Sequence, residues 1–142
     1  MTRNEDGWIA VYKRKDALWI HDGNPKHPHA LLTSGKHSNG FFNSRLVIPD
    51  EVLLDDAASD LLELLSNFGE AEVSDIDGVV GPQTGATKLA QLISLHTPSY
   101  TGEKCFWASP AKHEAEGQKS MVFNDEDLRL LPAAALTLHQ PP

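Results

Sequence analysis

Cysteine is almost absent from this sequence: Cys105 is the only one in 142 residues. A disulfide framework is excluded, and a thiolate zinc site has no ligand set. Basic residues are also short, 12 Lys and Arg against 20 Asp and Glu, for a net charge of -8. A nucleic-acid footprint needs a basic face, so nucleic acid is not an expected partner. Any anion site must then be assembled locally, from backbone amides and a few placed cations. No apolar run approaches the roughly 20 residues of a membrane span, and residues 1–7 carry no apolar leader. The expectation is a cytoplasmic protein, in a reducing compartment, without a membrane partner. No internal repeat is present. Apolar residues make up 40% of the chain, enough for one domain's core.

Residues 8–20 mix Trp8, Ile9, Val11, Tyr12, Leu18, Trp19 and Ile20 with a basic cluster, which predicts a short amphipathic helix. Residues 21–29 hold Gly23, Asn24, Pro25 and Pro28 and read as a loop. His21, Asp22, His27 and His29 fall there, but their spacing matches no standard metal cluster, so a solvated loop is expected and no metal site. Two short strands, at 30–33 and 41–48, are predicted around a polar turn, Ser34-Gly35-Lys36-His37-Ser38-Asn39-Gly40. The clearest helix follows Pro49. Asp50 can cap it, and Leu54, Ala57, Ala58, Leu61, Leu62, Leu65 and Phe68 recur at three- and four-residue steps before Gly69. Asp55, Asp56, Asp60 and Glu63 form its opposite, solvated face.

A strand at 76–80, a glycine loop at 81–85 and a helix at 86–96 then open a βαβ unit. A second parallel strand is expected at 104–107, with Cys105 inside it as a buried, inert thiol. Residues 109–119 are polar and read as flexible, and residues 120–123 as a third short strand. After Arg129 the composition changes: residues 130–142 carry no Asp, Glu, Lys or Arg. The expected organisation is a domain over 1–131, incomplete at its end, and an irregular uncharged tail over 132–142.

Two segments can carry chemistry. The loop Gly81-Pro82-Gln83-Thr84-Gly85 joins a strand's carboxyl end to a helix start, where free amides and the helix dipole favour an anion. Glycines let backbone approach a phosphate closely, and Thr84 and Thr87 offer hydroxyl donors. The Walker pattern does not fit, since Ala86 replaces its second glycine and Lys88 comes one residue late. An ordinary strand-to-helix turn is the competing reading. The other segment is 31–43. Adjacent strand residues face opposite ways, so one of Phe41 and Phe42 can join the core while the other covers a flat ring. Ser34 lacks the Gly-x-Ser-x-Gly elbow of a hydrolase nucleophile.

The run Leu32-Thr33-Ser34-Gly35-Lys36-His37-Ser38, followed by Phe41-Phe42-Asn43, resembles the N-terminal signature of orotate phosphoribosyltransferases. Val79-Val80-Gly81-Pro82-Gln83-Thr84-Gly85, followed by Leu89-Ala90, resembles that family's pyrophosphate loop and helix. The resemblance covers roughly residues 17–123. It implies an α/β chain with part of the type I phosphoribosyltransferase fold: a parallel sheet with flanking helices and an N-terminal hood of short strands. It also implies transfer of ribose phosphate from phosphoribosyl pyrophosphate, with magnesium, to a nitrogen of a small-molecule base. Ser34, Gly35, Lys36, Phe41 and Phe42 would bind the base, and Gly81, Pro82, Gln83, Thr84 and Gly85 the pyrophosphate. Lys112 would be catalytic, in a mobile loop that often reaches a partner's site across a homodimer.

Three places depart from the family's pattern. Thr33 stands where a lysine is common, and Ala108 and Ser109 where an arginine-lysine pair is common. A strand ending in two acids and a Thr-Thr-Gly-like loop, which hold the ribose phosphate, have no counterpart. A truncated or frame-altered product of a longer gene is therefore expected. Three readings stay open: a phosphoribosyl-transferring enzyme, a non-catalytic relative that keeps a base or phosphate pocket, and an inactive fragment.

Overall fold

The computed structural model describes residues 2–68, 73–98 and 104–130. They form two compact units, one ending at Leu54 and the other beginning at Asp55. The expected stop at Gly69 and the expected tail over 132–142 lie outside the described residues.

In the first unit, α1 (Glu5–Arg14) is capped by Asn4, whose side chain accepts the Gly7 amide at 2.9 Å. Glu5 and Asp6 in its first turn and Lys13 and Arg14 in its last complement the helix dipole. The helix ends there, earlier than the pattern of residues 8–20 predicts. Asp16 turns left-handed, with φ of 52°, and the Ala17 amide bonds back to the Tyr12 carbonyl at 2.8 Å. Leu18 to Ile20 become strand β1 (Leu18–Ile20) instead of further helix. Val11, Ala17, Val47 and Leu53 form the unit's buried cluster, with Trp8 and Tyr12 against it. Burying a Val or Leu side chain stabilises by about 1.5–3 kcal/mol.

The strand pairing also differs from the expected hairpin of 30–33 with 41–48. Strand β2 (Ala30–Leu31) pairs antiparallel with β3 (His37–Ser38), and β4 (Gly40–Phe42) pairs antiparallel with β1. Residues 44–46 coil into a 3-10 turn, where the Tyr12 and Ser44 hydroxyls meet at 2.8 Å. The aromatic strand thus answers to β1, a partner hidden by reading β1 as helix.

Helix α2 (Glu51–Asn67) begins as expected: Asp50 accepts the Leu53 amide at 3.2 Å through one carboxylate oxygen. Its other oxygen pairs with Lys15 at 2.8 Å. Leu53, Leu54, Ala58 and Leu62 are buried along α2, whereas Leu61, Leu65 and Phe68 of the expected apolar face are exposed.

In the second unit, β5 (Gly78–Val80) runs parallel to β6 (Phe106–Ala108), with α3 (Thr87–His96) between them in sequence and packed on both. This is the expected βαβ unit, with Cys105 just before the strand and not within it. Residues 109–119 are not the irregular loop their composition suggests. Strand β7 (Ala111–Ala115) pairs antiparallel with β8 (Gln118–Val122), which absorbs the strand expected at 120–123. Glu116 and Gly117 turn the chain with φ of 52° and 77°, the paired positive angles of a two-residue hairpin turn. The acids Asp125, Glu126 and Asp127 open a short helix, α4 (Asp125–Leu130), where they favour its positive end.

Candidate functional site

The residues singled out by sequence fall in both units, and each group stands on its own geometry. In the second unit the glycine loop leaves the end of β5 and enters α3. Its hydrogen bonds decide which amides a ligand can use. The Gly81 amide donates to the Ala108 carbonyl at 3.0 Å, and the Gln83 amide to the Pro110 carbonyl at 3.0 Å. Pro82 has no amide proton, and the Ala86 amide donates to the Pro82 carbonyl at 3.1 Å. The Thr84 and Gly85 amides have no partner among the described residues. Of the five loop positions, two therefore present donors beside the N-terminal end of α3, where the helix dipole is positive.

The two glycines play different parts. A Cβ on Gly81 would lie 2.7 Å from the Ala90 Cβ and closer still to the Ala86 carbonyl, so only hydrogen fits between loop and helix. A Cβ on Gly85 meets nothing within 4 Å. Gly81 makes the turn possible, and Gly85 leaves space open in front of the free amides.

Two hydroxyls stand behind the loop. Ser109 donates to the Gly81 carbonyl at 2.7 Å, and its oxygen lies 2.6 Å from that of Thr87. Sequence reading saw Ser109 only as a missing cation and did not foresee this contact. A cleft of about 750 Å³ opens beside them, lined by Gln83, Thr87 and Ser109 together with Lys104, Trp107 and Asp127. Cys105 also lines it. Burial pushes its thiol up from the ordinary range, opposed by a hydrogen bond involving Thr97 and reinforced by Asp77. Lys112 lies on β7 with an exposed side chain, opposite Met121, on the strand face that also carries Glu114 and Lys119.

In the first unit, Ser34, Gly35 and Lys36 make the β2–β3 turn. The Gly35 amide donates to the Leu32 carbonyl at 2.9 Å, and the Leu32 amide to the Lys36 carbonyl at 2.9 Å. Gly35 has φ of 80°, a left-handed value that favours glycine. The Lys36 amide points to the Ser34 hydroxyl at 3.4 Å, so that hydroxyl is drawn back over its own turn. Lys36 remains exposed.

Neither Phe41 nor Phe42 enters the core: they are 48% and 54% exposed. Phe42 lies edge-on to Tyr12, ring centroids 5.2 Å apart. Phe41 sits opposite Trp19 on the other face of the β1–β4 ribbon, and Trp19 is also exposed. This aromatic pair was invisible once residues 18–20 were read as helix.

Next to Trp19 begins a chain of rings. His21 lies edge-on to Trp19 and stacks flat on His29, centroids 4.1 Å apart and 5° between planes. The His21 side chain is 6% exposed, with Nδ1 accepting the Gly23 amide at 3.0 Å and Nε2 bonded to the His27 carbonyl at 3.2 Å. His27 bonds Asp22, and His29 bonds Asn39 at 2.7 Å. The histidine segment is the solvated loop expected, residues 22–29 being exposed, and it is tied together by these internal hydrogen bonds. Among the described residues no three His, Cys, Asp or Glu side chains converge in ligating geometry.

No family model matches the chain. Over 69 residues it is 35% identical to the orotate phosphoribosyltransferase of Thermococcus gammatolerans, a match covering 49% of this chain and 34% of that protein. The chain thus spans about a third of the length of this curated relative. Its structure is similar to that of the orotate phosphoribosyltransferase of Francisella tularensis, with a TM-score of 0.50 and 19% identity over 81% of this chain and 50% of the other. The UMP synthase of Leishmania donovani gives a TM-score of 0.49 and 15% identity over 81% and 21%. The fold of the described residues is accordingly part of the one seen in the Francisella enzyme, an α/β fold that includes a parallel pair. Among the described residues no helix is long and apolar enough to cross a membrane.

Proposed function

We propose, from the premise of an orotate phosphoribosyltransferase-like chain with part of the type I phosphoribosyltransferase fold, that this protein binds phosphoribosyl pyrophosphate and transfers its ribose phosphate to a nitrogen of a base. The observation that carries this reading is the pair of unpartnered amides at Thr84 and Gly85, in open space at the start of α3. Negative charge grows on the pyrophosphate as its bond to the sugar breaks. Fixed amides and a helix dipole aimed at that group stabilise the transition state without reorganising. Thr84 adds a hydroxyl donor. Gly81, Pro82 and Gln83 shape the loop rather than donate to the ligand.

Lys112 is the proposed catalytic cation, carried on a hairpin whose two strands can move as one piece over the donor and keep water from the activated sugar. For the base, the exposed faces of Phe41 and Trp19 offer stacking, and the Ser34-Gly35-Lys36 turn offers polar contacts. Magnesium would enter as the counter-ion of the donor's pyrophosphate. A homodimer that shares the Lys112 hairpin is part of the same reading.

One observation favours a second reading, a non-catalytic relative that binds base or phosphate. The end of β6 carries Ala108 and Ser109, without a cation, and the Ser109 hydroxyl is spent on the loop. Transfer from phosphoribosyl pyrophosphate to a panel of pyrimidine and purine bases, followed by pyrophosphate release, separates the two. Release that depends on a base supports the enzyme. Donor binding without turnover under any base supports the non-catalytic relative.

A further inference from the structure

We propose that Ser109 is a positioning residue: it holds the glycine loop against the end of β6 so that the Thr84 and Gly85 amides stand clear. What those amides bind rests on the pyrophosphate reading above; how the loop is held does not.

Ser109 is 7% exposed, at the end of β6. A serine hydroxyl has one proton, and a carbonyl can only accept. The 2.7 Å bond to the Gly81 carbonyl therefore uses the Ser109 proton. The 2.6 Å contact with Thr87 then runs one way: Thr87 donates and Ser109 accepts. The relay is Thr87 to Ser109 to the Gly81 carbonyl, and it joins the first turn of α3 to the end of β5 through β6. It commits the Thr87 proton inside the protein, leaving Thr84 as the hydroxyl donor of the two threonines. Two backbone bonds flank it, from the Gly81 amide to Ala108 and from the Gln83 amide to Pro110. Residues 108, 109 and 110 thus each hold the loop by one hydrogen bond. At a position where the resemblance implies a cation for the ligand, this chain has a side chain turned inward to fix the loop.

The test uses the full 142-residue chain and two readouts: amide hydrogen exchange by NMR, and calorimetric titration with magnesium pyrophosphate. A net hydrogen bond is worth roughly 3- to 10-fold in such an equilibrium. Ser109→Ala and Thr87→Val are each expected to speed exchange at Gln83 and Gly81 by about that factor and to weaken pyrophosphate to a similar degree. Thr87→Ser keeps the hydroxyl and is expected to behave as wild type in both. Unchanged exchange in Ser109→Ala and Thr87→Val overturns the proposal. So does Thr87→Ser behaving like Thr87→Val, because a methyl rather than the relay would then hold the loop. If Ser109→Ala does not fold, the Thr87 pair reads the same relay from its other end. Wild type that binds no pyrophosphate, with Gln83 still loosened by Ser109→Ala, sinks the ligand reading and leaves the positioning role standing.

Discussion

Two glycines four residues apart, Gly81 and Gly85, ought to respond in opposite ways to the same methyl group. Alanine at Gly81 forces a Cβ into the Ala86 carbonyl and the Ala90 side chain. Overpacking of that kind costs about 1–3 kcal/mol, so Gly81→Ala should lower the thermal midpoint by several degrees. Alanine at Gly85 meets nothing in the protein. Gly85→Ala should melt at or slightly above the wild-type temperature, yet bind magnesium pyrophosphate about tenfold more weakly, since on the proposed reading its methyl would occupy the ligand's place. Thermal melts and calorimetry on the two variants check this. Cys105 gives another residue-level expectation. Cys105 is partly and not fully buried, and that partial burial raises its thiol pKa, so an alkylating reagent at neutral pH should label it more slowly than a free cysteine peptide. The glycine loop itself was legible from residues 79–85. The division of labour within it was not, because the carbonyls that capture the Gly81 and Gln83 amides belong to Ala108 and Pro110, far along the chain.

At the scale of elements, Asp50 joins two stabilising contacts, the first turn of α2 and Lys15. The Lys15 ammonium, then the Leu53 amide, hold its carboxyl below the ordinary carboxylate range. A depressed folded pKa stabilises fully above the unfolded value of about 4, and that contribution is lost as pH falls through the folded value. Asn at this position still caps a helix but cannot attract Lys15 by charge. The thermal midpoint of Asp50→Asn should therefore lie below wild type near neutral pH and converge on it in acid. Asp22, also lowered by the Asn24 amide and His27, remains as a second source of acid sensitivity. The β7–β8 hairpin makes a separate prediction. Glu116 adopts a positive φ that asparagine tolerates better. Glu116→Asn should raise hairpin protection in hydrogen exchange several-fold; no change would show that the turn is not limiting. This hairpin was missed because residues 111–115 and 118–122 lack apolar alternation and are mostly exposed. Helix α2 was read correctly because it has capping chemistry and a 3.6-residue pattern. Strand β1 was missed because an apolar triplet after a helical stretch looks like more helix until Asp16 turns the chain.

For the whole molecule, the two recognised motifs fall in different compact units, with Phe41 and Phe42 before Leu54 and the loop of residues 81–85 after Asp55. On the proposed reading, the Thr84–Gly85 amide pair is where the donor's pyrophosphate binds. The most direct measurement is a nitrogen-15 NMR titration of the full chain with magnesium phosphoribosyl pyrophosphate. The Thr84 and Gly85 amides are expected to shift most and saturate together, while those of Gly81 and Gln83, already bonded to Ala108 and Pro110, move less. Saturable binding whose largest shifts lie elsewhere, or no saturable binding at millimolar donor, would contradict it.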